Sequence, residues 1–363
     1  LQLYHLDSHI DLSEWLTPIY EHGGCIAIIC NTVDEAITVA HDLRASPGID
    51  ANEVLLFHAR FPPAWRQTIE QSVLSQFGKI GERPKRMILV ATQIIEQSLD
   101  LDFDLIITRT APIDLLIQRA GRLHRHEWRT RPEHLQQPTL VIRTPAQTNG
   151  IPDFGVDAVV YEKYILLQTW LLLHDRLELR LPDDIDSLID TVYSERLPAP
   201  SSNDPLADVL TTAFEDMTSG ENGKKFKGSR YLVGKPNDPY LIGGTSDDMP
   251  DDDRNILTRD IRPSIDIICL RSSAEETRLP TLTDRVPTRD EVAHLLRFRV
   301  GISKMAARIA LETLPPHPYW DRIPQLRYAR PVVFNENEYL IPASGIVLRL
   351  TPEYGLEILE EKL

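Results

Sequence analysis

Five short apolar runs, separated by stretches of helical periodicity, constrain the fold of this chain more than any other feature. Cys25–Cys30 (CIAIIC) is continuously apolar behind Gly23-Gly24, the pattern of a strand buried on both faces. Asn31 or Thr32 then caps a helix running to about Arg44. Glu53–His58 reads as a second strand, after which Pro62-Pro63 open a helix that Gly78 closes. Arg86–Ala91 (RMILVA), Phe103–Thr108 and Pro138–Arg143 supply three more strands, with a helix over Ile113–Leu123 between the last two. Such alternation predicts an α/β fold: a parallel sheet with flanking helices, and ligands outside the carboxyl ends of its strands.

The pattern changes after Thr144. Pro145–Asp157 reads as a linker and Val159–Leu173 as an apolar helix. Leu197–Pro205 is rich in Pro, Ser and Asn, and Ser246–Asp253 (SDDMPDDD) is an acidic loop. Ser264–Leu270 then suggests a strand and Arg289–Phe298 a helix. Glu338–Leu350 and Glu353–Leu359 suggest a strand pair around Thr351-Pro352. The expected organisation is a connector over 1–22, the α/β lobe over 23–145, a partly helical linker with its acidic loop over 146–254, and a small mixed α+β C-terminal accessory domain over 255–363.

Composition narrows the function classes. No apolar run reaches the roughly 18 residues of a membrane span, so no membrane association is expected. Leu1–Tyr20 carries His5, Asp7, His9, Asp11 and Glu14 among its apolar positions, so it reads as a continuation of something upstream and not as a signal peptide. Cys25, Cys30 and Cys269 form an odd, widely spaced set, which argues against disulfides or a zinc site and for a reducing cytoplasm. The net charge of −15 is unfavourable to nucleic acid, but it is uneven. Residues 1–145 carry 14 Lys/Arg against 18 Asp/Glu, and within them Arg119, Arg122, Arg125, Arg129 and Arg131 face only Glu127.

Two stretches carry chemistry. Gln118–Arg125 (QRAGRLHR) spaces Arg119, Arg122 and Arg125 at i, i+3 and i+6, a drifting stripe of guanidinium forks suited to phosphate oxygens. The same spacing also fits a solvated, salt-bridged helix face. Val90–Asp100 (VATQIIEQSLD) puts Thr92, Gln93, Gln97 and Ser98 at a strand's carboxyl end, with Asp100 able to accept from a ribose. A capped turn into a short helix explains that stretch equally well.

Together and in this order, the two stretches resemble motifs V and VI of superfamily 2 helicases. Ile29-Cys30-Asn31-Thr32 resembles motif IV, and Phe57-His58-Ala59-Arg60-Phe61 the strand-end motif that touches the nucleic-acid backbone. CNTV, LFHARF, ILVATQIIEQSLDLDFD and QRAGRLHRH are most similar to the helicase–nuclease of type I CRISPR systems, with weaker likeness at Arg259–Ser264 and Tyr354-Gly355-Leu356. The resemblance implies a RecA-like second motor lobe. Arg122 and Arg125 would be arginine fingers on the γ-phosphate of ATP, and Gln118 would position the attacking water. Asp100 would hold the ribose beside Gln97, and Arg119 would reach the first lobe's acidic motif. Asn31, Thr32, His58, Arg60, Thr92 and Gln93 would line a single-stranded DNA path. The complete prokaryotic, cytoplasmic protein would bind ATP and Mg²⁺, translocate 3′ to 5′, and degrade DNA after recruitment by the type I surveillance (Cascade) complex.

The departures matter as well. No G-x-x-x-x-G-K-[ST] and no Asp-Glu-x-His occurs: Gly78-Lys79, Gly223-Lys224 and Gly234-Lys235 lack the hydroxyl residue, and Asp34-Glu35 and Asp290-Glu291 lack the His. His41-Asp42 and His174-Asp175 read as helix-surface pairs and not as nuclease metal ligands; no metal ligand is expected. The chain therefore reads as the C-terminal part of a longer protein whose nuclease and first motor lobe lie elsewhere, and as inactive alone. An RNA helicase of the same superfamily, or a non-catalytic nucleic-acid or partner docking module, are the alternatives.

Overall fold

The computed structural model describes residues 1–7, 12–96, 99–194, 205–229 (backbone alone over 221–229), 264–271 and 279–360. Residues 1–194 and 264–363 make one compact unit, and 195–263 another. The second unit contains α8 (Pro205–Ser229). The Pro/Ser/Asn-rich stretch up to residue 204, the acidic loop at 246–253 and residues 259–263 lie outside the described residues.

The first unit is built on six parallel strands. In chain order it runs through β1 (Gln2–Asp7), α1 (Ser13–His22), β2 (Gly24–Ile29), α2 (Val33–Ala45), β3 (Val54–Phe57), α3 (Pro63–Phe77), β4 (Arg86–Ala91), β5 (Leu105–Arg109), α4 (Ile113–Ala120) and β6 (Thr139–Thr144). The sheet order is β1-β6-β5-β2-β4-β3. Ile26, Ile28, Ile88, Val90 and Ile107 pack with Leu16 and Ile19 of α1 and Ala36, Ala40 and Leu43 of α2. The alternate residues Ala27, Ile29, Leu89 and Ile106 are equally buried, so both faces are covered, as the unbroken apolar runs require. Each buried Ile or Leu contributes about 1.5–3 kcal/mol.

Several expected boundaries move. Gln2–Asp7, assigned to a connector, is instead an edge strand in register with Thr139–Thr144, with Leu3 and Leu6 buried on opposite faces of the sheet. The helix expected to reach Leu123 stops at Ala120 with Gly121 as its cap, and the chain turns so that Phe103 bridges Leu123. The expected linker begins as a hairpin, β7 (Ala146–Thr148) with β8 (Ile151–Asp153). The helix expected over Val159–Leu173 is two, α5 (Asp157–Val160) and α6 (Lys163–Leu173), broken where Tyr161 adopts extended backbone. The helix α7 (Ile185–Tyr193) follows.

Past residue 263, β9 (Ile265–Arg271) is the centre of a three-stranded sheet with β10 (Arg299–Ile302) and β11 (Arg330–Phe334). The helix α9 (Arg289–Leu296) starts at a capping box formed by Thr288 and Glu291, and α10 (Met305–Glu312) follows β10. The expected strand pair is three strands, β12 (Glu338–Ile341), β13 (Ile346–Thr351) and β14 (Gly355–Glu360). These strands share one apolar core, and Trp65 of α3 packs against both that core and the core of the parallel sheet.

The β13–β14 turn docks on the lobe. Tyr354 stacks on His41 at 3.7 Å between ring centroids and lies under the Arg44 guanidinium at 4.8 Å. His41 also bonds Glu357 at 3.2 Å, so this exposed residue on the surface of α2 takes part in the contact. Gly355 sits at φ +66° with the turn after β3 against it: a Cβ there would meet His58 Cε1 at 3.0 Å, the Arg60 carbonyl at 3.1 Å and Phe61 at 3.1 Å. Gly345 has the same φ but open space around it, which separates conformation from packing. Gly345→Ala is expected to lose about 1–2 kcal/mol of stability from backbone strain alone. Gly355→Ala is expected to lose roughly a further 1–3 kcal/mol from crowding. Urea denaturation of the two variants measures the difference, and equal losses would mean the turn is not tightly seated.

Candidate functional site at the carboxyl edge of the sheet

The loops that leave the carboxyl ends of β2, β4 and β5 meet the turn after α4. Thr92 leads into a single 3-10 turn, Gln93–Ile95, that brings Glu96 under α4. Arg119, in the last turn of α4, is fully buried there. Its Nε donates to Glu96 Oε1 at 2.8 Å, its Nη2 lies 2.6 Å from the same oxygen, and its Nη1 donates to Thr108 Oγ1 at 2.6 Å. Burial pushes the Glu96 carboxyl above its ordinary range, against the opposing pull of Arg119. The expectation that Arg119 reaches another lobe therefore fails in this arrangement: its donors are turned inward.

Arg122 and Arg125 lie beyond the helix and at the rim. Arg122 spends one Nη2 bond on the Glu96 carbonyl at 3.2 Å. Burial, then the charge of Arg125, pull its pKa below the ordinary value, yet a guanidinium stays a cation. Arg125 Nε donates to Asp100 Oδ1 at 2.5 Å, and the two side chains are 45% and 46% exposed. That bond holds the Asp100 carboxyl below its usual range. Gln118 is exposed on α4. Gln97 and Ser98 lie outside the described residues.

The other two arginines of the cluster are structural. Arg131 pairs with Asp102 at 2.8 Å and Asp104 at 2.6 Å, and Arg83 joins the same two buried carboxylates at 3.0 and 2.7 Å. Asp104 Oδ2 also accepts from the Cys25 amide at 2.7 Å. Arg129 donates to backbone carbonyls, at 2.5 Å to that of Gly78. Of the five crowded arginines, Arg125 is exposed and Arg122 is half-buried with its bond to one backbone carbonyl, whereas Arg119, Arg129 and Arg131 are bound by carboxylates or several backbone carbonyls. Cys25, Cys30 and Cys269 are buried free thiols, and burial pushes Cys25 up to about 12.

The residues expected on a nucleic-acid path divide. Asn31 is buried: its Nδ2 donates to the Thr110 carbonyl at 2.7 Å and to Asp157 Oδ1 at 3.0 Å, which uses both hydrogens. Gln93 Nε2 donates to the Asn31 carbonyl and to Tyr161 Oη, both at 2.9 Å. Thr92 is buried, and Thr32 caps α2 by accepting from the Glu35 amide at 3.2 Å. His58 is buried against Phe61; its Nδ1 accepts from the Arg60 amide, so Nε2 carries the hydrogen and donates to the Tyr354 carbonyl at 3.1 Å. Asn31, His58 and Thr92 are thus interior groups: Asn31 is covered by the segment after β6 and His58 by the segment after β13. Arg60 pairs with Asp34 at 2.5 Å, its side chain largely buried and its Nη1 enclosed without a hydrogen-bond partner.

Sequence reasoning missed Glu96, Arg109, Asp157 and Tyr161. Asp157 is buried and pairs with Arg109 at 2.8 Å. The signal for Tyr161 was present: a polar-tipped residue interrupts an apolar helical run. Among the described residues, no group of three or more His, Cys, Asp or Glu is placed to hold a metal ion, and no helix is long and apolar enough to cross a membrane.

With this geometry established, comparison with known proteins is specific. Residues 22–128 match the family model for the C-terminal region of the CRISPR-associated nuclease/helicase Cas3, and residues 259–356 match that for the Cas3 C-terminal domain. The CRISPR-associated endonuclease/helicase Cas3 of Thermus thermophilus is 35% identical over 329 residues, covering 85% of this chain and 35% of that protein. The Cas3 nuclease/helicase of Streptococcus thermophilus is 28% identical over 366 residues, covering 93% and 38%. The chain spans little more than a third of these relatives. A crystal structure of a CRISPR-associated protein superposes at TM-score 0.86 with 32% identity, over 99% of this chain and 41% of that one. That of T. fusca Cas3 with AMPPNP gives 0.79 and 29%, over 98% and 42%. The six-stranded parallel sheet with its flanking helices is that of a RecA-like lobe of the superfamily 2 helicase class. Within that class the chain belongs to the Cas3 family and corresponds to its C-terminal part.

Two outcomes follow from burial. Arg119→Ala is expected to cost about 3–5 kcal/mol, since it strands the buried Glu96 carboxylate. Arg122→Ala should stay within about 1 kcal/mol. Chemical denaturation of both variants checks this, and equal costs would remove Arg119 from its central place. His58 supplies a pH signature. Burial, then the charge of Arg60, push it down to about 3 from an ordinary 6.5, so between those values the unfolded chain binds a proton that the folded chain refuses. Stability should therefore fall as pH drops below about 6.5, by up to about 1.4 kcal/mol per unit from this group. His58→Gln should flatten that slope, and an unaltered slope would show that His58 takes up its proton in the fold.

Proposed function

We propose that this chain forms the second motor lobe and C-terminal region of an ATP-dependent single-stranded DNA translocase acting in type I CRISPR interference. The carrying observation is the separate treatment of three evenly spaced arginines: Arg119 is sealed inside, while Arg122 and Arg125 stay at the rim. Rim arginines beside the carboxyl ends of a parallel sheet fit an anion brought by a facing lobe. Arg122 has donors beyond its bond to the Glu96 carbonyl, and the exposed pair holding Arg125 to Asp100 is weak enough to exchange. The residues thus suit the γ-phosphate of ATP, with Gln118 orienting water and Asp100 near the ribose. ATP supplies the phosphoryl group that is transferred to water. The groups that would hold Mg²⁺ are assigned to the facing lobe on the sequence motifs, since this sequence has no G-x-x-x-x-G-K-[ST] and no Asp-Glu-x-His.

Thr32 and Arg60 are half-buried and are proposed to touch a DNA backbone, Arg60 after release from Asp34, since Asn31, His58 and Thr92 are turned inward. A solved neighbour is described as a CRISPR RNA-guided surveillance complex, pre-nicking, which supports recruitment by such a complex. Nuclease chemistry is assigned to the part of the protein outside this chain. Without a phosphate-binding loop motif, the 363-residue chain alone is proposed to turn over no ATP.

In the complete protein, Arg122→Ala and Arg125→Ala should each lower kcat for DNA-stimulated ATP hydrolysis by about 10³–10⁵ while sparing most nucleotide affinity. The guanidinium acts on charge that develops in the transition state, more than on the ground state. Arg→Lys keeps the charge but loses the planar fork, so it should also fail. A steady-state ATPase assay with single-stranded DNA decides the matter; unchanged kcat in both alanine variants would leave the motor reading without its residues.

A further inference from the structure

The polar residues at the carboxyl edge form one connected network, and part of it comes from outside the sheet. Tyr161 Oη accepts from Gln93 Nε2 at 2.9 Å and from Arg119 Nη2 at 3.4 Å, and lies 3.4 Å from Asn31 Oδ1, to which it donates. Four residues away, Asp157 takes one hydrogen of Asn31 Nδ2 on Oδ1 and pairs with Arg109 on Oδ2. The hydroxyl therefore touches the loop after β2 through Asn31, the loop after β4 through Gln93, and the arginine helix through Arg119. No other group among those described has all three partners. The break between α5 and α6 serves this contact, since a continuous helix would carry Tyr161 on a different path.

We propose that Tyr161 and Asp157 are positioning residues that lock the loops after β2 and β4 to the α4 arginine turn, and thereby couple strand contact to nucleotide hydrolysis. This rests on the motor reading above. A displacement of the β2 or β4 loop by a strand shifts Asn31 or Gln93, and the half-buried Tyr161 hydroxyl passes the shift to Arg119, from which the chain runs three residues to Arg122. Such shifts are transmitted because Asn31, Asp157 and Arg119 are buried, where an unmade hydrogen bond is costly.

The test is Tyr161→Phe in the complete protein, which keeps the ring and removes one oxygen. DNA-free ATP turnover should remain within about twofold, while stimulation by single-stranded DNA should fall roughly tenfold, inside the usual span of coupling between sites. Hydrogen–deuterium exchange should rise together in 92–96 and 119–123. Asp157→Asn, which keeps an acceptor for Asn31 but breaks the Arg109 pair, should act in the same direction. Unchanged stimulation with unchanged exchange overturns the proposal. So does a proportional fall of both turnovers with a lowered melting temperature, which would mark Tyr161 as structural only. An unmodified protein whose turnover ignores DNA counts against the motor reading, whereas the exchange experiment reports on the network by itself.

Discussion

A guanidinium taken out of water costs several kcal/mol unless a carboxylate and further acceptors surround it, and Arg119 has been taken out completely. Glu96, Thr108 and Tyr161 are the surrounding groups, and each comes from a different segment of the edge. Satisfying one charge thus fixes the loop after β4, the end of β5, the end of α4 and the segment after β8 relative to each other. Arg122 hangs from the same arrangement through the Glu96 carbonyl. The site depends on this buried pair much as the sheet depends on its apolar strands: the first sets where the polar groups stand, the second where the edge is.

The turn after β3 shows a comparable dependence in the C-terminal region. His58 accepts from Arg60 on one nitrogen and donates to Tyr354 on the other, so a single tautomer satisfies both segments. Gly355 allows the approach because it has no Cβ and stands in the left-handed region. Tyr354 then fills the space between His41 and Arg44. Residues more than 290 positions apart in sequence are joined here by one ring and one missing methyl.

Much of the lobe could be read from the sequence, because a strand buried on both faces leaves an unbroken apolar run and α2 begins at a recognisable cap. Cys25–Cys30, Arg86–Ala91 and Thr32 behaved accordingly. The first strand could not be read that way: Gln2–Asp7 lies at an edge and buries only Leu3 and Leu6, with no apolar run and no period-two alternation, so His5 and Asp7 looked like a connector. The arginine helix was overextended because i, i+3 spacing continues past Ala120 while the backbone does not. Positions similar to known strand-contact motifs were read as open surface, since local pattern says nothing about which later segment will cover a loop. Asn31 is covered by Asp157 and Tyr161, and His58 by Tyr354.

The same reasoning explains why Arg125 suits a transient role and Arg119 does not. Removing Arg119 from Glu96 would leave two buried charges without solvent, whereas Arg125 and Asp100 are each close to half exposed and worth about 0–1 kcal/mol to each other. If Arg125 turns to a phosphate, Asp100 is not left alone, because His126 Nε2 stands 3.3 Å from the same oxygen. Water and an imidazole replace the lost partner, so the exchange has almost no cost within the lobe. An arginine that must engage an anion only when a second surface closes needs this property: a resting partner strong enough to orient it and too weak to hold it.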